Sequence, residues 1–228
     1  TAGTLAESSL GYTNAVEISG GFQHLLVRHA DGRVTCLKPG ASGEPAAYSS
    51  ALCSGVTTAV RISAGSNADA ILLSSGTFRF GNALTSSYST KTFSGSPAPV
   101  PCDVAAGTNK NYAVLFTNGV AAAYNQNTLT QYNTQTGVVS IAAGGDGQLL
   151  AVLSDGRNAV FTAGGTSWNY ASVTNRLLGA RDLWWRRNCR LAVTDGGGLT
   201  PLLNAAGCAS PLDYRAAAAR YQAALALD

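Results

Sequence analysis

The chain contains no methionine and only two histidines, and just 12% of its 228 residues carry charge. Soluble domains usually hold about 25% charged residues, so long solvated helices laced with ion pairs are excluded as the main architecture. No apolar run reaches the roughly 18 residues that a membrane-spanning helix needs. The five cysteines (Cys36, Cys53, Cys102, Cys189, Cys208) never form a CxxC pair, which argues against zinc. Gly-x-Ser-x-Gly, His-Glu-x-x-His and a phosphate loop are all absent. The run Gly144-Gly145-Asp146-Gly147 lies between strand-like stretches, with no helix behind it to aim an N-terminus at a phosphate. Asp31, Asp155 and Asp195 sit at turns, where Asp is favoured for its backbone hydrogen bonds. No enzyme, no cofactor and no metal site is expected.

A chain without methionine that begins Thr1-Ala2-Gly3 reads as a processed product whose targeting segment has gone, although a cleaved tag or a removed initiator Met would look the same. Cys36 and Cys53 flank one linker, and Cys189 and Cys208 flank the last one, with loop lengths that suit disulfides. Buried reduced cysteines are the alternative, since free Cys is often a core residue. The disulfide reading implies an oxidising compartment, so a secreted or lumenal location is expected.

What the sequence does have is repetition. Val16 to Leu37 reads VEISGGFQHLLVRHADGRVTCL: a short alternating run, a Gly-Gly turn, and a longer run that reverses at Asp31-Gly32. Asp-Gly between apolar runs is a strong hairpin signal, because Gly accepts positive φ and the turn then matches strand twist. The same parts return at Val60–Gly65 with Ser75-Gly76, and at Val104–Gly107 with Asn118-Gly119. They return again at Val139–Gly144 with Asp155-Gly156, and less regularly at Leu191–Val193 with Asp195-Gly196. The turn glycines are 44, 43, 37 and 40 residues apart. Several short strands per unit of about 40 residues mark a propeller or solenoid.

The phrase Ile18-Ser19-Gly20-Gly21-Phe22-Gln23-His24-Leu25-Leu26-Val27, followed by Asp31-Gly32-Arg33-Val34, resembles the repeat of the regulator of chromosome condensation family. Ile141-Ala142-Ala143-Gly144, Leu149–Val152 and Asp155-Gly156 match nearly as well, and the resemblance covers about residues 15–204. The short period looks closest to the secreted bacterial branch, typified by the propeller-type β-lactamase inhibitor protein. The resemblance implies a structural role for His24. It departs where the family has Trp-Gly, replaced here by Leu37, Phe80-Gly81, Tyr124-Asn125, Phe161 and Leu202.

The expected fold is therefore all-β: a single β-propeller domain, residues 1–228, of about five short blades with repeats of 37–44 residues. The blades span about 15–58, 59–99, 100–137, 138–174 and 175–210, with a C-terminal α-helix at about 213–227. Asp213 would cap that helix, and Tyr214, Tyr221 and Leu225 share one face. Five blades in one ring is the expected closure, because closure removes exposed strand edges. A further blade built by the chain ends, or a toroid shared by two chains, is the alternative.

Propellers present loops at the two ends of a central channel, and loops carry function. The expected partner-binding residues are Trp184, Trp185, Arg186 and Arg187 with Arg181 and Arg190, since Trp and Arg dominate interface energetics. The alternative makes one Trp a blade-packing residue and the arginines a solvated edge. Trp168 and Tyr170 join the set from a Gly/Ser/Asn-rich loop. The functional expectation is a non-catalytic scaffold that binds another protein, as an inhibitor-like module or an accessory subunit. A lectin with inter-blade sites at Asn82, Asn125 and Asn204 is the alternative. A net charge of +3 argues against nucleic acid, whose affinity grows with the phosphates neutralised.

Overall fold

Short alternating runs broken by glycine turns fold as antiparallel meanders. The computed structural model describes residues 14–201, except 22, 41–44, 94–98, 108–110, 126–130, 144–147, 156, 163–164, 171–179, 187–188 and 195–198. The first sheet holds β1 (Ala15–Gly20), β2 (Leu25–His29), β3 (Val34–Pro39) and β4 (Pro45–Ala47). The second holds β5 (Ala59–Ala64), β6 (Asp69–Leu73), β7 (Phe78–Gly81) and β8 (Tyr88–Lys91). The third holds β9 (Pro101–Ala106), β10 (Asn111–Phe116), β11 (Ala121–Asn125) and β12 (Gln131–Gln135). The fourth holds β13 (Val138–Ala143), β14 (Leu149–Leu153), β15 (Asn158–Phe161) and β16 (Trp168–Tyr170). In the fifth, β17 (Ala180–Arg186), β18 (Cys189–Thr194) and β19 (Leu199–Pro201), only the backbone is described. Strands are neighbours in chain order throughout.

The expected fold class needs correction on one point: no helix occurs among the described residues, which are strands joined by turns, bends and irregular segments. The reason is spacing, because a turn interrupts the chain before any stretch reaches the roughly 12 residues a lone helix requires. The C-terminal helix expected at 213–227 lies outside the described residues.

The turn glycines do more than reverse the chain. Gly32, Gly76 and Gly119 have φ of 80°, 78° and 75°, a region that L side chains rarely enter. The Gly32 carbonyl accepts the Ala59 N–H at 2.9 Å, and the Gly119 carbonyl accepts the Val138 N–H at 2.8 Å. Each turn is thereby fastened to the first residue of the next sheet's innermost strand. Between the second and third sheets that residue is Pro101, which has no N–H to give and packs its ring beside Gly76 instead.

A β-bulge recurs at one place in every sheet. Pairing skips one residue near the start of the innermost strand: Val16, Val60, Cys102, Val139 and Arg181. Bulges bend the strand and re-aim the extra side chain. Two hydroxyls then tie innermost strands side by side. Ser19 Oγ accepts the Ala64 N–H at 2.8 Å, and Ser63 Oγ accepts the Ala106 N–H at 2.9 Å. The equivalent residues of the third and fourth sheets, Ala105 and Ala142, have no hydroxyl to do the same.

The core lies between successive sheets. Leu26, Val34 and Cys36 of the first meet Ala59, Ile62 and Ile71 of the second. Phe78 and Phe80 stack at 4.9 Å and meet Tyr112 of the third sheet edge-on, with Tyr112 Oη donating to the Gly81 carbonyl at 3.0 Å. Ala113 and Leu115 meet Ile141, Leu149 and Ala151 of the fourth. Ile62, Val104 and Ile141 are buried because a preceding sheet covers them. Their equivalent in the first sheet, Ile18, is 67% exposed. Among the described residues, no comparable packing joins the first sheet to the fifth.

Candidate functional site

All the bulges lie at the end of the sheets that carries the Asp-Gly, Ser-Gly and Asn-Gly turns. The register places them there: Ala15 pairs with His29, and Ala59 with Leu73, each at the edge of a turn. The turn-to-strand hydrogen bonds bring these ends together from sheet to sheet. Eight large apolar side chains are exposed among the described residues. Five of them, Val16, Val60, Val100, Val139 and Tyr170, lie at this end, between 37% and 57% exposed. Three of the five are bulged residues, so the pattern follows from the repeat rather than from chance placement.

Turn tips add polar groups. In Asp31-Gly32-Arg33 and again in Asp155-Gly156-Arg157, one carboxylate oxygen accepts the arginine N–H and the other pairs with its Nε at 2.6 Å. The Arg33 backbone N–H and side chain hold the Asp31 carboxyl below the usual carboxylate range. The Asp155 carboxylate pushes Arg157 further towards its charged form. The Arg157 guanidinium lies 4.5 Å from the Tyr170 ring centroid, an exposed cation–π contact. Tyr170 Oη also receives Gln135 Nε2 at 3.5 Å, so strands of two sheets meet at this ring.

The structure distributes the sequence-selected residues unevenly. Trp168 and Tyr170 lie on β16, not in a loop. Trp168 packs edge-on to Phe161 at 5.6 Å against the core, while Tyr170 faces outward. Arg181 occupies the bulge of β17. Trp184 and Trp185 occupy consecutive positions opposite Leu191 and Arg190, and Arg186 lies at the far end opposite Cys189. Arg187 is outside the described residues. Asn82 spends its amide oxygen on the Leu84 N–H at 2.8 Å, a turn role, and Asn125 ends β11 opposite Asn111. Asn204 and Cys208 lie outside the described residues, and Cys189 begins β18.

Cys36 and Cys53 form a disulfide with Cα atoms 6.3 Å apart. Cys102, whose thiol is pushed up by burial, donates to the Leu115 carbonyl at 3.4 Å. His24 Nε2 and Asp69 Oδ1 are 2.7 Å apart with both side chains fully buried. A carboxylate only accepts, so Nε2 donates. Asp69 also accepts the Ala83 N–H at 2.6 Å and the Gly65 N–H at 3.2 Å. This cross-sheet joint escaped the sequence reading. Its signal was one acid within Ala68-Asp69-Ala70-Ile71-Leu72-Leu73.

Among the described residues no three His, Cys, Asp or Glu side chains converge as a metal site would require. No described helix is long and apolar enough to cross a membrane. Successive four-stranded meanders, stacked face to face with their innermost strands side by side, are the blades of a propeller-type fold. Solved structures agree. Human WBSCR16 superimposes with a TM-score of 0.61 at 12% identity, over 83% of this chain and 60% of that one. Prp20p from Saccharomyces cerevisiae, solved in a study of its binding to Gsp1p and histones, gives 0.61 at 14%, over 81% and 56%. BBS1N, solved in complex with ARL6DN, gives 0.54 at 20%, over 80% and 62%. The chain thus spans about 60% of the length of these structures. No family profile and no curated protein sequence matches it.

At such identities the likeness establishes the fold alone, and it overturns two expectations. The structures resembled are WBSCR16 and Prp20p, so assignment to the secreted bacterial inhibitor branch is withdrawn. The secreted or lumenal location falls with it, since one of these likenesses is to a histone-binding protein. The cysteines do not rescue that location. Cys36 and Cys53 are buried in the core between the first two sheets, where cysteines pack well in either redox state.

Proposed function

We propose that the chain is a non-catalytic binding module that docks another protein on the turn end of its sheets. One observation carries this reading: five of the eight exposed large apolar side chains gather at that end, three of them set there by the repeated bulge. Exposed apolar side chains that cluster mark interaction surfaces more often than scattered ones do. Tyr170, with Arg157 over its ring, has the residue types that anchor interfaces. Arg181, at the fifth bulge, extends the same end. The interactions named for Prp20p and BBS1N support a docking role without identifying a partner. An inhibitor-like module and an accessory subunit of a larger assembly are the two forms this role would take.

The test is a native pull-down read by mass spectrometry, with Val60→Asp, Val139→Asp and Tyr170→Ala compared with the parent. All three residues are exposed, so folding should survive, and circular dichroism would check it. The expected result is a companion whose affinity falls by roughly 30-fold on losing the tyrosine, as an anchor worth about 2 kcal/mol implies. Loss only on replacing Trp184 by Ala would move the docking face to the fifth sheet. A companion held equally by every variant would end the proposal.

A further inference from the structure

Between the second and third sheets, at the same turn end, lies a cavity of about 250 Å³. Its apolar wall is Phe93, Phe116 and Val120, with Tyr124 behind. Phe93 meets Phe116 edge-on at 4.9 Å, which fixes the wall. Its polar side is Lys91, Asn118 and two threonines. The Lys91 ammonium is 5.4 Å from the Tyr124 ring centroid, and no carboxylate faces it among the described residues. Asn118 Oδ1 accepts the Val120 N–H at 3.2 Å, so what this lining residue has left to offer a ligand is its amide N–H group, a donor.

Donors and one positive charge face an aromatic wall, and nothing in the lining supplies the anion. The volume is below the roughly 300–1,000 Å³ of a drug-sized site, so it suits one residue. Lys91 ends β8 and Phe93 follows two positions on, at most roughly 7 Å away along the chain, a separation that one amino acid with a free carboxylate bridges. We infer that this cavity binds the carboxyl-terminal residue of a protein partner, with an apolar side chain on Phe93, Phe116 and Val120 and the carboxylate on Lys91 and Asn118. This deepens the proposed docking role by naming the chemistry of one contact, and it rests on that reading only for the identity of the partner.

The test uses the full chain in a nuclear magnetic resonance titration with three probes: N-acetyl-L-phenylalanine, its α-amide, and N-acetyl-L-aspartic acid α-amide. The expected result is saturable shifts at Lys91, Phe93, Asn118 and Val120 with the first probe, and roughly tenfold weaker binding of its amide, the factor a charge-assisted hydrogen bond supplies. Lys91→Gln should bring the acid down to the level of the amide and leave the amide unchanged. Acid and amide binding alike, or a Lys91→Gln variant that keeps the difference, would overturn the inference. So would the aspartate probe matching the first, since a side-chain carboxylate would then be the ligand. None of these outcomes depends on the pull-down, so the cavity and the docking face fail separately.

Discussion

Replacing Asp69 by Ala is the most informative single perturbation of this fold. The carboxylate is fully buried and accepts from His24 Nε2, the Ala83 N–H and the Gly65 N–H. It therefore joins the first sheet to the second and also holds the chain that leaves β7. Alanine strands the His24 and Ala83 donors, while the Gly65 N–H keeps the Ala68 carbonyl at 2.8 Å. Breaking a buried hydrogen-bonded pair from one side costs about 3–5 kcal/mol, against a total stability of about 5–15 kcal/mol. At roughly 2–4 °C per kcal/mol for a chain of this size, Tm should fall by about 6–20 °C. Urea unfolding followed by tryptophan fluorescence measures this, with an unchanged slope showing that only stability moved. His24→Ala should cost less, because the carboxylate keeps two N–H donors. The double variant should be less harmful than the sum, since the two side chains are in direct contact. The reasoning is refuted if Asp69→Ala lies within about 0.5 kcal/mol of the parent, or if the two losses simply add.

Further outcomes follow from the other joints. Ser63→Ala removes the acceptor of the buried Ala106 N–H and should cost about 1–3 kcal/mol in the same unfolding assay. Gly32→Ala should be the most damaging turn substitution, because φ is 80° and the new Cβ would lie 2.5 Å from the Thr57 carbonyl oxygen. Gly55→Ala, at φ 68° with nothing within 4 Å, should cost only the roughly 1–2 kcal/mol of a left-handed residue. Burial pushes the phenols of Tyr48 and Tyr124 up to about 12, with the Asp69 charge assisting at Tyr48. The unfolded phenols ionise near 10, so above that pH the unfolded chain holds fewer protons than the folded one. Their contribution is complete below about pH 10 and should be lost as pH rises towards 12, so urea midpoints should fall across that window. A midpoint that stays constant across it would contradict the burial argument.

The repeat was legible because it is written locally. A glycine turn and an Asp-Gly, Ser-Gly or Asn-Gly reversal need no distant partner to specify them, and the four full meanders follow. What was missed needs a second strand to become visible. Val16 reads as one residue of an alternating run, and only its pairing shows it to be a bulge. Ser19 and Ser63 read as polar alternation, and only the next sheet makes them acceptors. In the sequence Trp168 groups with Tyr170 as a loop residue, yet strand alternation and a neighbouring Phe161 pull one ring inward and leave the other outside. The Trp184 to Arg190 cluster looked compact in sequence, but a strand of seven residues draws Arg181 and Arg186 to opposite ends.

The bare Ile18 face has a consequence for symmetry. Every sheet from the second to the fourth covers its Ile18-equivalent with the opposite face of its predecessor, so the two faces of a sheet are unlike and mutually complementary. Two copies meeting through Ile18 would therefore join head to tail and could not share a two-fold axis. Such heterologous contacts close into rings or run on as filaments. Self-association of this chain through that face would thus be directional, each added copy presenting a fresh acceptor for the next.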